Sequence, residues 1–277
     1  MNSNDSDSPV AAPFRRTAPL VDSHVHIFRR NMPLVPDPRH APEYEFTAEQ
    51  LDATLAAHGI PHCVIAAASP WGDVNDYVIA SLRTRPHWRG TAILEPSTDR
   101  YILDRMAEDG MVGVRLPFIS LRELPDLDSW DWRKFLYRLA DMDWHVHLHL
   151  DGPRIPQVLP LLERSGVKIV IDHIGRPDPV LGTASDGFQA MVRSVEKGRT
   201  WVKLSGAHRL GVQSADYARE LCRRVGYERM LWASDCPFVG SESTVYQSTI
   251  DWLDTVVPDA ADRNRITGEN ALQLYFV

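Results

Sequence analysis

Apolar and polar positions recur along this chain in one repeating order. The stretch 20–27 is rich in β-branched and apolar residues, with Asp22, His24 and His26 at every second position. Strand side chains alternate between faces, so the pattern predicts a strand over 20–27 with His24 and His26 pointing the same way. A Pro-rich loop over 29–46 follows. Thr47 then predicts a helix start, Gln50 completes a capping box three residues on, and Gly59 marks the stop. The run 62–68 is almost wholly apolar, as expected of a strand covered on both faces.

The order then repeats. Strands are expected over 89–94, 112–116, 145–150, 168–173, 201–205 and 230–234. Helices are expected over 74–84, 99–108, 130–142, 153–165, 185–197, 214–225, 244–255 and 259–275. Strands alternating with helices imply βαβ units around a parallel sheet. Eight such units in about 255 residues fit a closed (β/α)8 barrel of the TIM type. An open doubly wound sheet is the alternative, but no strand leads into a G-x-G-x-x-G phosphate loop. With no domain break, one α/β barrel domain is expected over 20–277. Residues 1–19, rich in Ser, Asp, Asn and Pro, read as a disordered tail without a signal-peptide layout.

Composition narrows the partners. Thirty Lys and Arg against 37 Asp and Glu give the 277-residue chain a net charge of −7. A mildly acidic chain with no basic tract is not a nucleic-acid binder. With no apolar run of about 18 residues, no membrane span is expected. Cys63, Cys222 and Cys236 are few and far apart, which fits a reducing compartment and a cytoplasmic location. No feature specifies an oligomeric state.

Chemistry in such a barrel gathers at the C-terminal ends of the strands. There the chain delivers His24 and His26, Arg115, His149, His173 and Arg176, Lys203 and Ser205 with Arg209 beyond, and Asp235. Imidazoles converging from several strands suit a metal ion or an oxyanion. A carboxylate among them can bind metal or take a proton from water. Arg115, Arg176 and Arg209, with Arg122 as a weaker fourth, suit an anionic substrate, because the guanidinium fork binds two oxygens at once. His145 and His147 lie deeper on the face of His149 and read as barrel-filling or supporting residues.

His24-x-His26, His149, His173 and Asp235 on their separate strands resemble the amidohydrolase superfamily pattern. Asp172-His173-Ile174-Gly175-Arg176-Pro177, Trp201-Val202-Lys203-Leu204-Ser205-Gly206 and Ser234-Asp235-Cys236-Pro237 resemble its branch of 2-pyrone-4,6-dicarboxylate, 4-sulfomuconolactone and sugar lactonases. The resemblance runs from about residue 19 to the C-terminus. It implies a barrel hydrolase that opens a lactone with water. Residues matching Asp235, His173, His24 and His26 carry the chemistry, and those matching Arg115, Arg176, Arg209 and Tyr44 hold the substrate's acidic groups. The chain departs from the pyrone lactonase at His149, where that enzyme has tyrosine, and the match of Arg122 is offset by about one position. His149 completes a potential metal set of His24, His26, His149 and Asp235, so one divalent ion, zinc, is expected. Arg115 in place of a bridging Lys or carboxylate argues against a second ion. The expected substrate is an anionic lactone from aromatic-compound breakdown. A sugar lactone, a metal-dependent decarboxylation and a non-catalytic binding role are the alternatives.

Overall fold

The computed structural model describes residues 18–277. The tail expected over 1–19 lies outside them except for Ala18 and Pro19. The order is β1 (Val21–Val25), α1 (Ala48–Ala57), β2 (His62–Ile65), α2 (Asp76–Arg83), β3 (Trp88–Ala92), α3 (Arg100–Glu108), β4 (Met111–Leu116) and α4 (Trp130–Asp141). It continues with β5 (His145–Leu148), α5 (Ile155–Ser165), β6 (Lys168–Ile171), α6 (Asp186–Glu196), β7 (Thr200–Leu204), α7 (Ala207–Leu210), α8 (Ser214–Val225), β8 (Met230–Trp232), α9 (Tyr246–Val256), α10 (Ala260–Asn264) and α11 (Asn270–Tyr275). The expected capping box is present: Thr47 Oγ1 accepts from Gln50 N–H, and Gln50 Oε1 accepts from Thr47 N–H.

The eight strands pair in parallel and in chain order. β8 and β1 close the barrel just beyond their regular ends. Asp235 N–H donates to His24 O at 3.0 Å and His26 N–H to Cys236 O at 2.8 Å. Asp22 reinforces the seam by accepting from Ser234 N–H, Ser234 Oγ and Tyr246 OH. Burial pushes the Asp22 carboxyl up despite these bonds. The seam sets Asp235 opposite His24, so the closure of the fold also places the central carboxylate.

Strand alternation sorts the core into two shells. Val146, Leu148, Ile169, Ile171, Val202 and Leu204 face outward and pack beneath the helices. Val21, Val64, Val170, Trp201 and Leu231 face inward at the lower end, where Leu274 and Tyr275 of α11 plug the barrel. Each such aliphatic side chain contributes about 1.5–3 kcal/mol by leaving water. Gly113 marks a tight contact of β4 with β5, since a Cβ there would lie 2.3 Å from His145 O.

The helix expected over 259–275 is not continuous. A π turn at Arg265–Glu269 interrupts it. At that turn Thr267 O accepts from Leu20 N–H at 3.0 Å, and Gly268 lies against the Leu20 side chain. A π turn displaces carbonyls from the regular ladder, which suits this use. No helix among the described residues is long and apolar enough to cross a membrane.

Candidate active site

The upper end of the barrel brings His24, His26, His173 and Asp235 together. His24 Nε2 and His26 Nε2 are 3.2 Å apart. Asp235 Oδ1 lies 3.6 Å from His24 Nε2, 3.4 Å from His26 Nε2 and 3.8 Å from His173 Nε2. On its other oxygen, Asp235 accepts from Arg209 Nε at 2.5 Å and lies 3.1 Å from His208 Nε2. Burial alone would raise the Asp235 carboxyl, but His173, Arg209 and the neighbouring His208 hold it well below the usual carboxylate range. Burial pushes the His173 imidazole down to about 3, so it is neutral near pH 7.

The loops that present these groups are conformationally costly. His173, Ile174 and Arg176 are left-handed without being glycine, at φ 52°, 55° and 45°, and Asp235 is at φ 71°. Each such residue costs roughly 1–2 kcal/mol. Non-glycine strain of this kind collects at functional sites when surrounding contacts enforce it. Here Gly175 N–H to Asp172 O, Arg176 N–H to His173 O and Gly152 N–H to Arg176 O enforce it.

A second cluster lies beneath, on the Nδ1 side of His24. The Lys203 ammonium is fully buried, 2.9 Å from His24 Nδ1, 3.0 Å from His147 Nδ1 and 3.1 Å from Asp172 Oδ1. It donates to the two imidazoles and forms an ion pair with Asp172. Arg115 Nε donates to Asp172 Oδ2 at 3.1 Å. Burial would raise Asp172, but Lys203, His24 and Arg115 hold it well below the carboxylate range. Burial lowers Lys203 to about 8 even though Asp172 opposes the shift.

The donors fix several protons. Arg115 can only donate, so its 3.1 Å contact makes His149 Nδ1 an acceptor and leaves the proton of neutral His149 on Nε2. That Nε2 is buried without a partner. His26 Nδ1–H donates to Ala66 O at 2.7 Å, which leaves its Nε2 lone pair facing His24 and Asp235. His24 Nδ1 sits between the Lys203 donor and Asp172 Oδ1, an acceptor 3.3 Å away. Accepting from Lys203 puts the His24 proton on Nε2, 3.2 Å from the His26 Nε2 lone pair; a metal ion there would call for the other tautomer, with Nδ1–H donating to Asp172.

His24, His26 and Asp235 therefore fit a divalent cation. Their facing atoms are 3.2–3.6 Å apart, close to the roughly 3.3 Å separation of ligands bound tetrahedrally at 2.0–2.1 Å. Ligand atoms of His24, His173 and Asp235 also lie within 4.8 Å of one another. His149 joins neither such group; its Nδ1 is spent on Arg115 and its Nε2 carries hydrogen. A third group, His24, His147 and Asp172, has the same compactness, but Lys203 already supplies its cation.

The Amidohydrolase family matches residues 21–277. The chain is an amidohydrolase. It is 24% identical over 289 residues to a 2-pyrone-4,6-dicarboxylate hydrolase of Comamonas testosteroni, covering 97% of this chain and 94% of the relative. It is 25% identical over 272 residues to a 4-sulfomuconolactone hydrolase of Hydrogenophaga intermedia, covering 92% and 88%. Among solved structures, a candidate 2-pyrone-4,6-dicarboxylic acid hydrolase of Acinetobacter baumannii with citric acid bound superposes with a TM-score of 0.89. Identity to it is 29%, with 93% of this chain and 99% of that chain covered.

The amidohydrolase pocket opens above Asp235 between the strand-end loops. Of the residues expected to bind substrate, Arg115, Arg176 and Arg209 line it. Arg115 is heavily committed, to Asp172, Ala67 O and His149. Arg176 gives Nε to Asp151. Tyr44 and Arg122 do not line it. Tyr44 packs on Phe28 with its hydroxyl 3.5 Å from Glu242, and Arg122 is exposed on the loop after β4.

Five groups of the amidohydrolase site carried no role in the sequence reading: Arg39, His40, Asp172, Lys203 and His208. A lysine at an inward position of apolar β7 was a readable signal for Lys203, and Asp172 ends an apolar strand. His208 adjoins Arg209 with no distinguishing pattern, and the Pro-rich loop carrying Arg39 and His40 has no periodicity at all. In charge, Arg39, Arg115, Arg176, Arg209 and Lys203 face Asp151, Asp172 and Asp235. Five cations against three carboxylates, the imidazoles aside, leave two positive charges.

Proposed function

We propose that this amidohydrolase opens the ring of an anionic lactone by attack of water. One observation carries the reading: Asp235 is a buried, ionised carboxylate faced by three imidazoles at the floor of a pocket with excess positive charge. Asp235 takes a proton from the attacking water as its oxygen bonds to the ring carbonyl carbon. The carbonyl oxygen becomes an oxyanion. His149 Nε2–H, buried without a partner, and the His173 ring are the donors for it. One such donor is worth about 3 kcal/mol in the transition state. The tyrosine of the resembled pyrone lactonase would also be a donor at the His149 position. When the intermediate collapses, the ring C–O bond breaks and Asp235 returns the proton to the departing oxygen.

Arg209 couples binding to this step. In the free site it holds Asp235, which makes the carboxylate a weak base. A substrate carboxylate that draws the guanidinium away raises the basicity of Asp235 as the lactone arrives. His24 Nε2, His26 Nε2 and Asp235 Oδ1, with His173 beside them, would hold a single divalent ion, zinc by ligand type. When bound, such an ion polarises a carbonyl or acidifies water. Zinc should raise the melting temperature of the wild type and leave that of His26→Ala unchanged. The three cysteines are buried and unpaired, which supports a reducing, cytoplasmic setting.

The function is tested by acid release at constant pH from 2-pyrone-4,6-dicarboxylate, muconolactones and sulfomuconolactone, set against neutral sugar lactones. Turnover of anionic lactones is expected. Turnover of the sugar lactones alone would overturn the substrate class, and carbon dioxide release without ring opening would overturn the reaction.

A further inference from the structure

The loop over 29–46 crosses the pocket mouth as a strap, fixed at three places. At its base Phe28 and Phe46 exchange two backbone hydrogen bonds, at 2.9 and 3.0 Å, and Phe28 stacks on Trp71 with ring centres 4.5 Å apart. Further on, Val35 N–H donates to Pro70 O at 2.9 Å, and Val35 Cγ1 would be 2.9 Å from a Cβ on Gly72. On the opposite wall the His40 ring lies against Gly240, where a Cβ would meet it at 2.9 Å. Gly240 also has φ 78°, so glycine is needed there on both counts. A loop of this length with no secondary structure of its own is usually functional.

Arg39 lies between the last two anchors and lines the pocket with Arg176 and Arg209. Arg176 and Arg209 each hold a carboxylate, Asp151 and Asp235. Arg39 makes no ion pair or hydrogen bond with the described residues, and it is exposed at the mouth. Partial burial of its guanidinium lowers its pKa, and the repulsion of Arg176 adds to this more than the attraction of Asp151 relieves it. Of the two unbalanced charges, one sits at the floor, where Arg115 and Lys203 share Asp172. The other is Arg39.

We propose that Arg39, with Arg176, forms an anion subsite at the mouth of the pocket, which takes a carboxylate or sulfonate remote from the attacked carbonyl. The strap thereby selects dianionic over monoanionic lactones. The inference rests on the anionic-lactone reading and adds to it the position and the residue that count the second charge. Guanidinium groups bind such oxygens in pairs, and a charge-assisted contact of this kind is worth about tenfold or more in affinity.

The test uses calorimetric binding of two flat acids that are not turned over, isophthalate with two carboxylates and benzoate with one, to the full-length protein. Wild type should bind isophthalate about tenfold more tightly than benzoate. Arg39→Met should lose that advantage while benzoate affinity stays within about twofold, and Arg39→Lys should recover part of it. Isophthalate binding that Arg39→Met leaves unchanged, or a loss equal for both acids, would overturn the subsite and leave the lactone reading standing. Wild-type protein that binds neither acid would overturn the anionic-substrate reading itself, and the subsite with it.

Discussion

On the Nδ1 side of His24, the ammonium of Lys203 meets His24, His147 and Asp172 at 2.9–3.1 Å, closed off from solvent. On the Nε2 side, His26, His173 and Asp235 stand only slightly farther apart and open onto a pocket. Both layers are built from histidines and one aspartate. They differ in what answers the aspartate's charge. Below, cations of the chain itself do so permanently: Lys203 and Arg115 both pair with Asp172. Above, Arg209 and His208 hold one oxygen of Asp235 while the other faces unfilled nitrogen positions. Composition alone therefore does not mark a reactive cluster; unspent donors and lone pairs do. His24 belongs to both layers, and the lower one fixes how its ring meets the upper.

This contrast can be broken by removing the acid of one layer and the cation of the other. Asp235→Asn should lower kcat on an anionic lactone by about 10³-fold, with the circular dichroism spectrum and urea midpoint close to wild type. Lys203→Met should do the reverse in kind. It leaves Asp172 with Arg115 alone, and removing one partner of a buried ion pair costs about 3–5 kcal/mol, read from urea unfolding. Equal destabilisation by the two variants would contradict the division into a reactive and a structural layer.

The buried imidazoles give the next effect. Burial lowers the pKa of His24, His26, His145, His147, His149 and His173 in the folded protein. The unfolded chain therefore binds more protons than the folded one once pH falls below about 6.5, and stability drops with it. Each fully neutral group contributes a slope of about 1.4 kcal/mol per pH unit in that window. Asp172 and Asp235 are depressed too, so their contribution persists to much lower pH and does not mask the effect. Thermal midpoints should fall steeply between pH 6.5 and 5, and a flat profile there would show that these rings are charged in the fold. The smallest effect should come from Arg122→Ala and Tyr44→Phe. Both lie outside the pocket lining, and KM should change less than about twofold; a tenfold rise for either would mean that the pocket extends over the loops after β1 and β4.

The barrel and its upper layer were legible because strand periodicity and strand-end chemistry are local signals. His24, His26, Arg115, His173, Arg176, Arg209 and Asp235 each stand at a strand end or just past one, and the structure brings all but His24, which lies just beneath, to the lining of one pocket. His149 was also placed, but its role turns on a proton that Arg115 dictates from a neighbouring strand, which spacing cannot convey. Tyr44, Arg122 and Arg39 lie on long loops, where the path of the chain depends on anchors such as Val35 on Pro70 and His40 on Gly240. The π turn at Arg265–Glu269 was hidden for a similar reason, since it answers to a contact with Leu20 more than 240 residues away.

The most direct measurement is turnover of an anionic lactone in ¹⁸O-labelled water, with the ring-opened product examined by mass spectrometry. The account predicts one ¹⁸O atom in the new carboxylate of each product molecule, formed at a rate that Asp235→Asn reduces about 10³-fold. Product without label, or labelled product formed as fast by the variant, would contradict hydrolysis through Asp235.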